Sequence, residues 1–129
     1  MKMSIPVMSR ESKYCEGIRT AVTKFGHATN AMILAEVQRE FPSVSATTIH
    51  RATTRLAARG ELMPAPADLQ GAMRYEMNKP EHDHFLCRSC GQLRDVDILG
   101  EITKILRTRL TSCEPSGRVV VSGICGLCH

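Results

Sequence analysis

The sequence predicts an α+β chain in two lobes, and three observations carry that reading. Apolar residues recur three and four apart through the first sixty positions. Short β-branched runs and turn residues take over after that. Four of the six cysteines form two Cys-x-x-Cys pairs, Cys87/Cys90 and Cys125/Cys128, both in the second half of the 129 residues.

The first helix is set by Ile18, Ala21, Val22 and Phe25, which share one face at the helical period and stop at Gly26. Thr29 is the expected N-cap of a second helix over "NAMILAEVQREF", with Ile33, Val37 and Phe41 facing inward and Pro42 ending the run. Ser45 caps a third, "ATTIHRATTRLAAR", closed by Gly60. Two short strands, "ELM" and "MRYEM", flank the loop "PAPADLQGA" and read as a hairpin. Three helices and a hairpin outline a winged helix-turn-helix over residues 1–77. The polar turn "NKPE", residues 78–81, reads as a hinge. In the second lobe, residues 82–129, "HFLC" and "QLRDVD" read as strands around the "CRSC" turn. A helix follows over about 98–111, with Ile98, Ile102, Ile105 and Leu106 on one face, and then the β-branched strand "RVVVSGI".

Bulk properties narrow the classes. Aromatic residues are 4% and Trp is absent, so each core is aliphatic and thin, and small lobes of that kind lean on a metal or a partner subunit. The net charge of +4 is too mild to name a partner. The opening "MKMSIPVMSR" has no apolar h-region and no run reaches membrane-span length, which predicts a cytoplasmic protein without a membrane partner. In that reducing compartment paired cysteines read as metal ligands rather than a disulfide framework.

A two-residue spacer lets both thiolates of a pair face one ion, and two pairs fill a tetrahedral Zn²⁺ shell that leaves no open position. Buried reduced thiols and a thioredoxin-type redox pair are the alternatives; neither pair opens a helix in a βαβ setting, which weakens the second. Cys15 and Cys113 lie outside the pairs and read as ordinary buried thiols. His82 and His84 stand two apart, on one face if the segment is a strand, and invite a shared cation with nearby carboxylates among Glu76, Glu81, Asp83, Asp95 and Asp97. No acidic residue occurs between Glu40 and Glu61. In the third helix Ile49, Ala52 and Leu56 can face a core while Thr47, His50, Arg51, Thr54 and Arg55 stay on the open side, as in a helix that reads the major groove.

Together these segments resemble the ferric uptake regulator family of bacterial metal-dependent repressors, from about Ile18 to Cys128. "GHATNAMI" is similar to the family's G-H-P-T-A-E-E-I, and "FPSVSATTIHRATTRLAARGEL" to its F-P-x-V-S-x-A-T-V-Y-R helix; "HDHFLCRSCG" and "GICGLC" follow in order. The resemblance implies a winged helix followed by a small α/β dimerisation lobe, a homodimer on palindromic operator DNA, and neither catalysis nor a small-molecule substrate. It implies structural zinc on Cys87, Cys90, Cys125 and Cys128. It also implies regulatory Fe²⁺ or Mn²⁺ on His27, Glu76, His82, His84 and Asp95, a site that Zn²⁺ can occupy in vitro. The chain departs from the pattern in having His50 where the family usually has Tyr. It also lacks, in "CEPSGRVVV", the His that a further metal site of some members uses. Glu76 stands where zinc-sensing members carry Cys, and Asp95 where iron-sensing members carry Glu, so a ferrous peroxide sensor is the expected branch and an iron-uptake repressor the runner-up. Two other classes, a small metalloenzyme and a zinc-stabilised interaction module, would keep a metal site without metal-dependent operator binding.

Overall fold

The computed structural model describes residues 10–80 and 82–129. The expectations placed on the first nine residues and on Glu81 lie outside the described residues. Contacts divide the chain into two compact units, one ending at Asn78 and one beginning at Lys79.

The first unit runs α1 (Arg10–Phe25), β1 (Ala28–Thr29), α2 (Asn30–Val37), α3 (Ala46–Ala58), β2 (Leu62–Ala65) and β3 (Arg74–Met77), its antiparallel sheet ordered β1-β3-β2. This is the winged helix-turn-helix. Ile18, Ala21 and Val22 of α1 meet Ile33 and Val37 of α2 and Ile49, Ala52 and Leu56 of α3 in one buried cluster. The caps are the expected ones: Thr29 Oγ1 accepts from the Met32 amide at 3.2 Å and Ser45 Oγ from the Thr48 amide at 3.1 Å. At the far end of α3, Gly60 takes φ +80°, with Gly60 N–H donating to Ala57 O and Glu61 N–H to Leu56 O. These are the paired bonds that end a helix at a left-handed glycine.

Several expectations need correction here. Phe25 is 39% exposed instead of buried, because it is the last residue of α1 and the chain turns away at Gly26. The second helix ends at Val37, four residues before Phe41. Arg39 and Glu40 donate three residues back, to Glu36 and Val37, in tightened turns. Pro42 disfavours helical backbone at Phe41, whose ring instead meets Tyr14 edge-on at 5.2 Å. The two-residue strand β1 was not anticipated.

The second unit runs β4 (Asp83–Cys87), β5 (Leu93–Val96), α4 (Leu99–Arg109) and β6 (Val120–Gly123), with sheet order β5-β4-β6. β5 pairs antiparallel with β4, and β6 parallel to it. α4 ends two residues before the expected boundary, and its apolar face is not buried within the unit: no residue of α4 is buried and Ile105 is 56% exposed. β6 is shorter than "RVVVSGI". Cys113, expected buried, is exposed in the turn after α4, while Cys15 is buried as expected.

Asp83 organises this unit. Its Oδ2 accepts from the Ile98 and Leu99 amides and its Oδ1 from the Val119 amide, all at 2.9 Å. One carboxylate thus caps α4 from a neighbouring strand, where Ile98 offers no side-chain cap, and fastens the approach to β6. Burial alone would raise the Asp83 pKa, but the three amide donors outweigh it and hold the carboxyl below its ordinary value.

Candidate metal centres and nucleic-acid interface

Both Cys-x-x-Cys pairs sit on turns that leave adjacent strands. Cys87 ends β4 and is in register with Gly123 of β6, two residues before Cys125. A Cβ on Gly123 would lie 3.1 Å from two atoms of the Phe85 ring, so glycine lets the strands approach at this point. One Sγ from each of Cys87, Cys90, Cys125 and Cys128 lies within 4.8 Å of the others, and none of the four is in a disulfide. The Cys90 and Cys125 sulfurs are 3.8 Å apart. A tetrahedral ion with Zn–S bonds of about 2.3 Å spaces its sulfurs by about 3.8 Å, so the donor set fits zinc in kind and in spacing.

The backbone is prepared for thiolate. The amides of Cys90, Cys125 and Ser89 each point at Cys87 Sγ at 3.4 Å. The Cys90 and Cys125 amides, against the opposing effect of burial, draw the Cys87 pKa down to about 6. Cys128 is pushed the other way, to about 11. The Ser89 hydroxyl favours its thiolate, but the Cys125 and Cys90 sulfurs beside it and desolvation prevail. Four sulfurs this close cannot all carry charge unless a cation sits among them.

The histidines and remaining carboxylates form one set in each unit. In the first, His27 lies just before β1 and its Nε2 is 3.2 Å from Glu76 Oε1 on β3; Glu76 is fully buried. In the second, His84 of β4 is directly across from Asp95 of β5. Asp95 Oδ1 stands 3.3 Å from His82 Nε2 and 3.5 Å from His84 Nε2, and the two rings are 4.6 Å apart between centroids. His82 Nδ1 is 3.0 Å from Pro80 O, and His84 is fully buried. Lys79 Nζ holds the other Asp95 oxygen at 2.9 Å. Neither Lys79 nor the role of Asp83 was read from the sequence. For Asp83 a signal existed: strand alternation sends it to the face opposite His84, away from any ion that His84 would hold.

On α3, Ile49, Ala52 and Leu56 face inward, and Thr47, His50, Arg51, Thr54 and Arg55 are exposed, as the periodicity required. Thr53, which the sequence did not single out, is fully buried. Arg59, the C-cap of α3, lies 3.7 Å from Glu61, which is also paired to Arg19 at 2.7 Å.

A family model described as the ferric uptake regulator family matches residues 15–114. The chain belongs to that family. Members of the ferric uptake regulator family are metal-responsive transcriptional regulators, not enzymes, which sets the metalloenzyme alternative aside. A ferric uptake regulation protein of Campylobacter jejuni is 26% identical over 108 residues, covering 80% of this chain and 68% of that relative. Many solved structures share the fold. The Helicobacter pylori ferric uptake regulator superposes with a TM-score of 0.75 at 19% identity, over 91% of this chain and 80% of that one. The Campylobacter jejuni peroxide stress regulator superposes with a TM-score of 0.70 at 19% identity, over 92% of this chain and 91% of that one.

Proposed function

We propose that this chain is a homodimeric repressor whose grip on a palindromic operator depends on a divalent ion held by His27, Glu76, His82, His84 and Asp95. The carrying observation is a fully buried carboxylate, Glu76, whose Oε1 lies 3.2 Å from His27 Nε2. A buried carboxylate is costly without a cation, and two donors do not complete a shell. His82, His84 and Asp95 supply three more, and their mixed N/O character suits Fe²⁺, Mn²⁺ or Zn²⁺. Metal binding selects the form of the protein that fits DNA. By linkage, DNA then tightens metal binding by the same factor. Zn²⁺ on Cys87, Cys90, Cys125 and Cys128 is structural. Exposed apolar side chains of the second unit, among them Ile105, Val120 and Val121, are the surface a second copy covers.

The branch we favour is peroxide sensing. Asp95 at the position where iron sensors carry Glu supports it. Ferrous iron, when bound, supplies the one-electron chemistry by which peroxide oxidises a neighbouring imidazole. His27 and His82 are the rings most open to it, and losing either as a ligand would release the operator. Iron-uptake repression is the second reading, supported by the curated relative, a ferric uptake regulation protein. Operator affinity measured with Fe²⁺, Mn²⁺ and Zn²⁺, with and without low peroxide, separates them. Operator release with oxygen added to a histidine only in the Fe²⁺ form supports peroxide sensing. An Fe²⁺ form that keeps operator and mass supports iron uptake, and metal-dependent binding that survives His82→Ala defeats the switch.

A further inference from the structure

His50, at the centre of the open face of α3, is held by a residue of another helix. Its Nδ1 lies 3.3 Å from Asn30 Nδ2, in the first turn of α2. The Asn30 amide is itself oriented, because its Oδ1 accepts from the Thr53 hydroxyl at 2.9 Å. That hydroxyl is buried and also lies 3.1 Å from the His50 carbonyl, one turn back on α3. Thr53 has one hydroxyl proton, and the shorter contact, 2.9 Å against 3.1 Å, gives it to Asn30 Oδ1, so the amide presents an N–H to the ring. The ring nitrogen opposite an N–H must be the acceptor, so Nδ1 is bare and the proton sits on Nε2. A proton on Nδ1, in the other tautomer or in imidazolium, would set two donors against each other.

We infer that Asn30 and Thr53 fix the tautomer of His50, so that the centre of the recognition helix offers its base an Nε2–H donor and no acceptor. This rests on the reading that α3 enters the major groove. There guanine offers acceptors at N7 and O6, adenine at N7 and thymine at O4, whereas cytosine offers only the N4 donor. His50 therefore discriminates against cytosine at one position of the contacted strand. Asn30 and Thr53 are positioning residues that touch no base and act through the ring. A single wrong pair in such a site costs about tenfold or more in affinity.

The tautomer is read without DNA. Long-range ¹H–¹⁵N correlations of the imidazoles in the zinc-loaded chain, both units present, should show His50 protonated at Nε2. Asn30→Ala and, independently, Thr53→Val should bring the Nδ1–H form into the average. The base preference is read on the Mn²⁺-loaded chain, by selection from a randomised duplex library and then on duplexes differing at the one pair that His50→Ala relaxes. Asn30→Ala should flatten the preference at that pair by about tenfold and cost nothing further there in the His50→Ala background. A wild-type Nδ1–H tautomer overturns the assignment. So does an Asn30→Ala protein that loses the same affinity for every duplex with or without His50, which would make Asn30 merely structural. If the tautomer is Nε2–H but neither His50→Ala nor Arg51→Ala changes preference at any pair, α3 does not read bases. In that case the donor role falls with the reading it rests on.

Discussion

In the first unit thirteen apolar side chains, from Cys15 to Tyr75, are buried in one cluster contributed by three helices and a sheet. In the second, the buried apolar residues among those described are Cys87, Leu93 and Cys125, accompanied by the polar Asp83 and His84. One unit is held by area removed from water. The other is held by a few directed attachments: an Asp83 carboxylate tying three amides, and a sulfur cluster suited to a metal. Non-directional burial spreads its load over many residues, so losing one is survivable. Directed attachments concentrate it, so the second unit has single points of failure and its stability should follow metal and proton concentration.

The largest break comes from the thiolates. Cys125→Ser, or strong chelation, should remove zinc, a ligand whose binding contributes about 10–16 kcal/mol in small zinc domains. Hydrogen exchange should then lose protection across residues 82–129 and keep it in α1, α2 and α3. A zinc-free Cys125→Ser protein with a protected second unit would erase the contrast. Next in size is Leu56→Ala, at about 2–5 kcal/mol, which should lower the melting transition of the first unit alone. Asp83→Asn should follow at about 2–3 kcal/mol, because one acceptor oxygen is replaced by a donor facing backbone amides. It should loosen α4 and β6 and leave the first unit unchanged by exchange.

Acid sharpens the same contrast. Cys87 and Asp83 both have folded-state pKa values below their ordinary ones, so each contributes stability above the ordinary value and loses it as pH falls through the folded one. For Cys87 in zinc-free protein that contribution is complete above 9.0 and gone below about 6. For Asp83 it is complete above 3.8 and is lost only at lower pH. Zinc retention, read by competition with a chelator, should therefore fall as pH drops through about 6, where the Cys87 thiolate takes up a proton. The smallest effect is expected at Lys79, whose ammonium competes with any ion for Asp95. Lys79→Met should tighten Mn²⁺ binding by at most about fivefold, since the pair is partly exposed.

The contrast also explains what the sequence disclosed. Periodicity and caps reported the first unit well because burial there follows the helical repeat: Ile18, Ile33, Ile49 and Leu56 each occupy the face their spacing assigned. It failed at Phe25, where a turn decides which way the ring points, and it ran the second helix on to Phe41, which packs against the core from beyond the helix end. In the second unit the Cys-x-x-Cys spacing disclosed the sulfur cluster, since that chemistry is local to each pair. Asp83 was hidden because its partners, Ile98, Leu99 and Val119, are distant in sequence and are used through their backbones. The Asn30–His50–Thr53 arrangement was hidden for a related reason, since nothing in the residues of one helix tells which amide of another will meet them.

The parallel joining of β6 to β4 has a consequence in time. Cys125 closes on Cys87 across 38 residues, whereas the helices of the first unit form from near neighbours. At translation rates of about 5–20 residues per second, some two to eight seconds separate the emergence of the two sulfurs. Throughout that interval the nascent chain carries an intact winged helix and only half a thiolate shell, which any soft metal ion in the cell can sample. The first pair therefore stays open to metal exchange until the second arrives to close the shell.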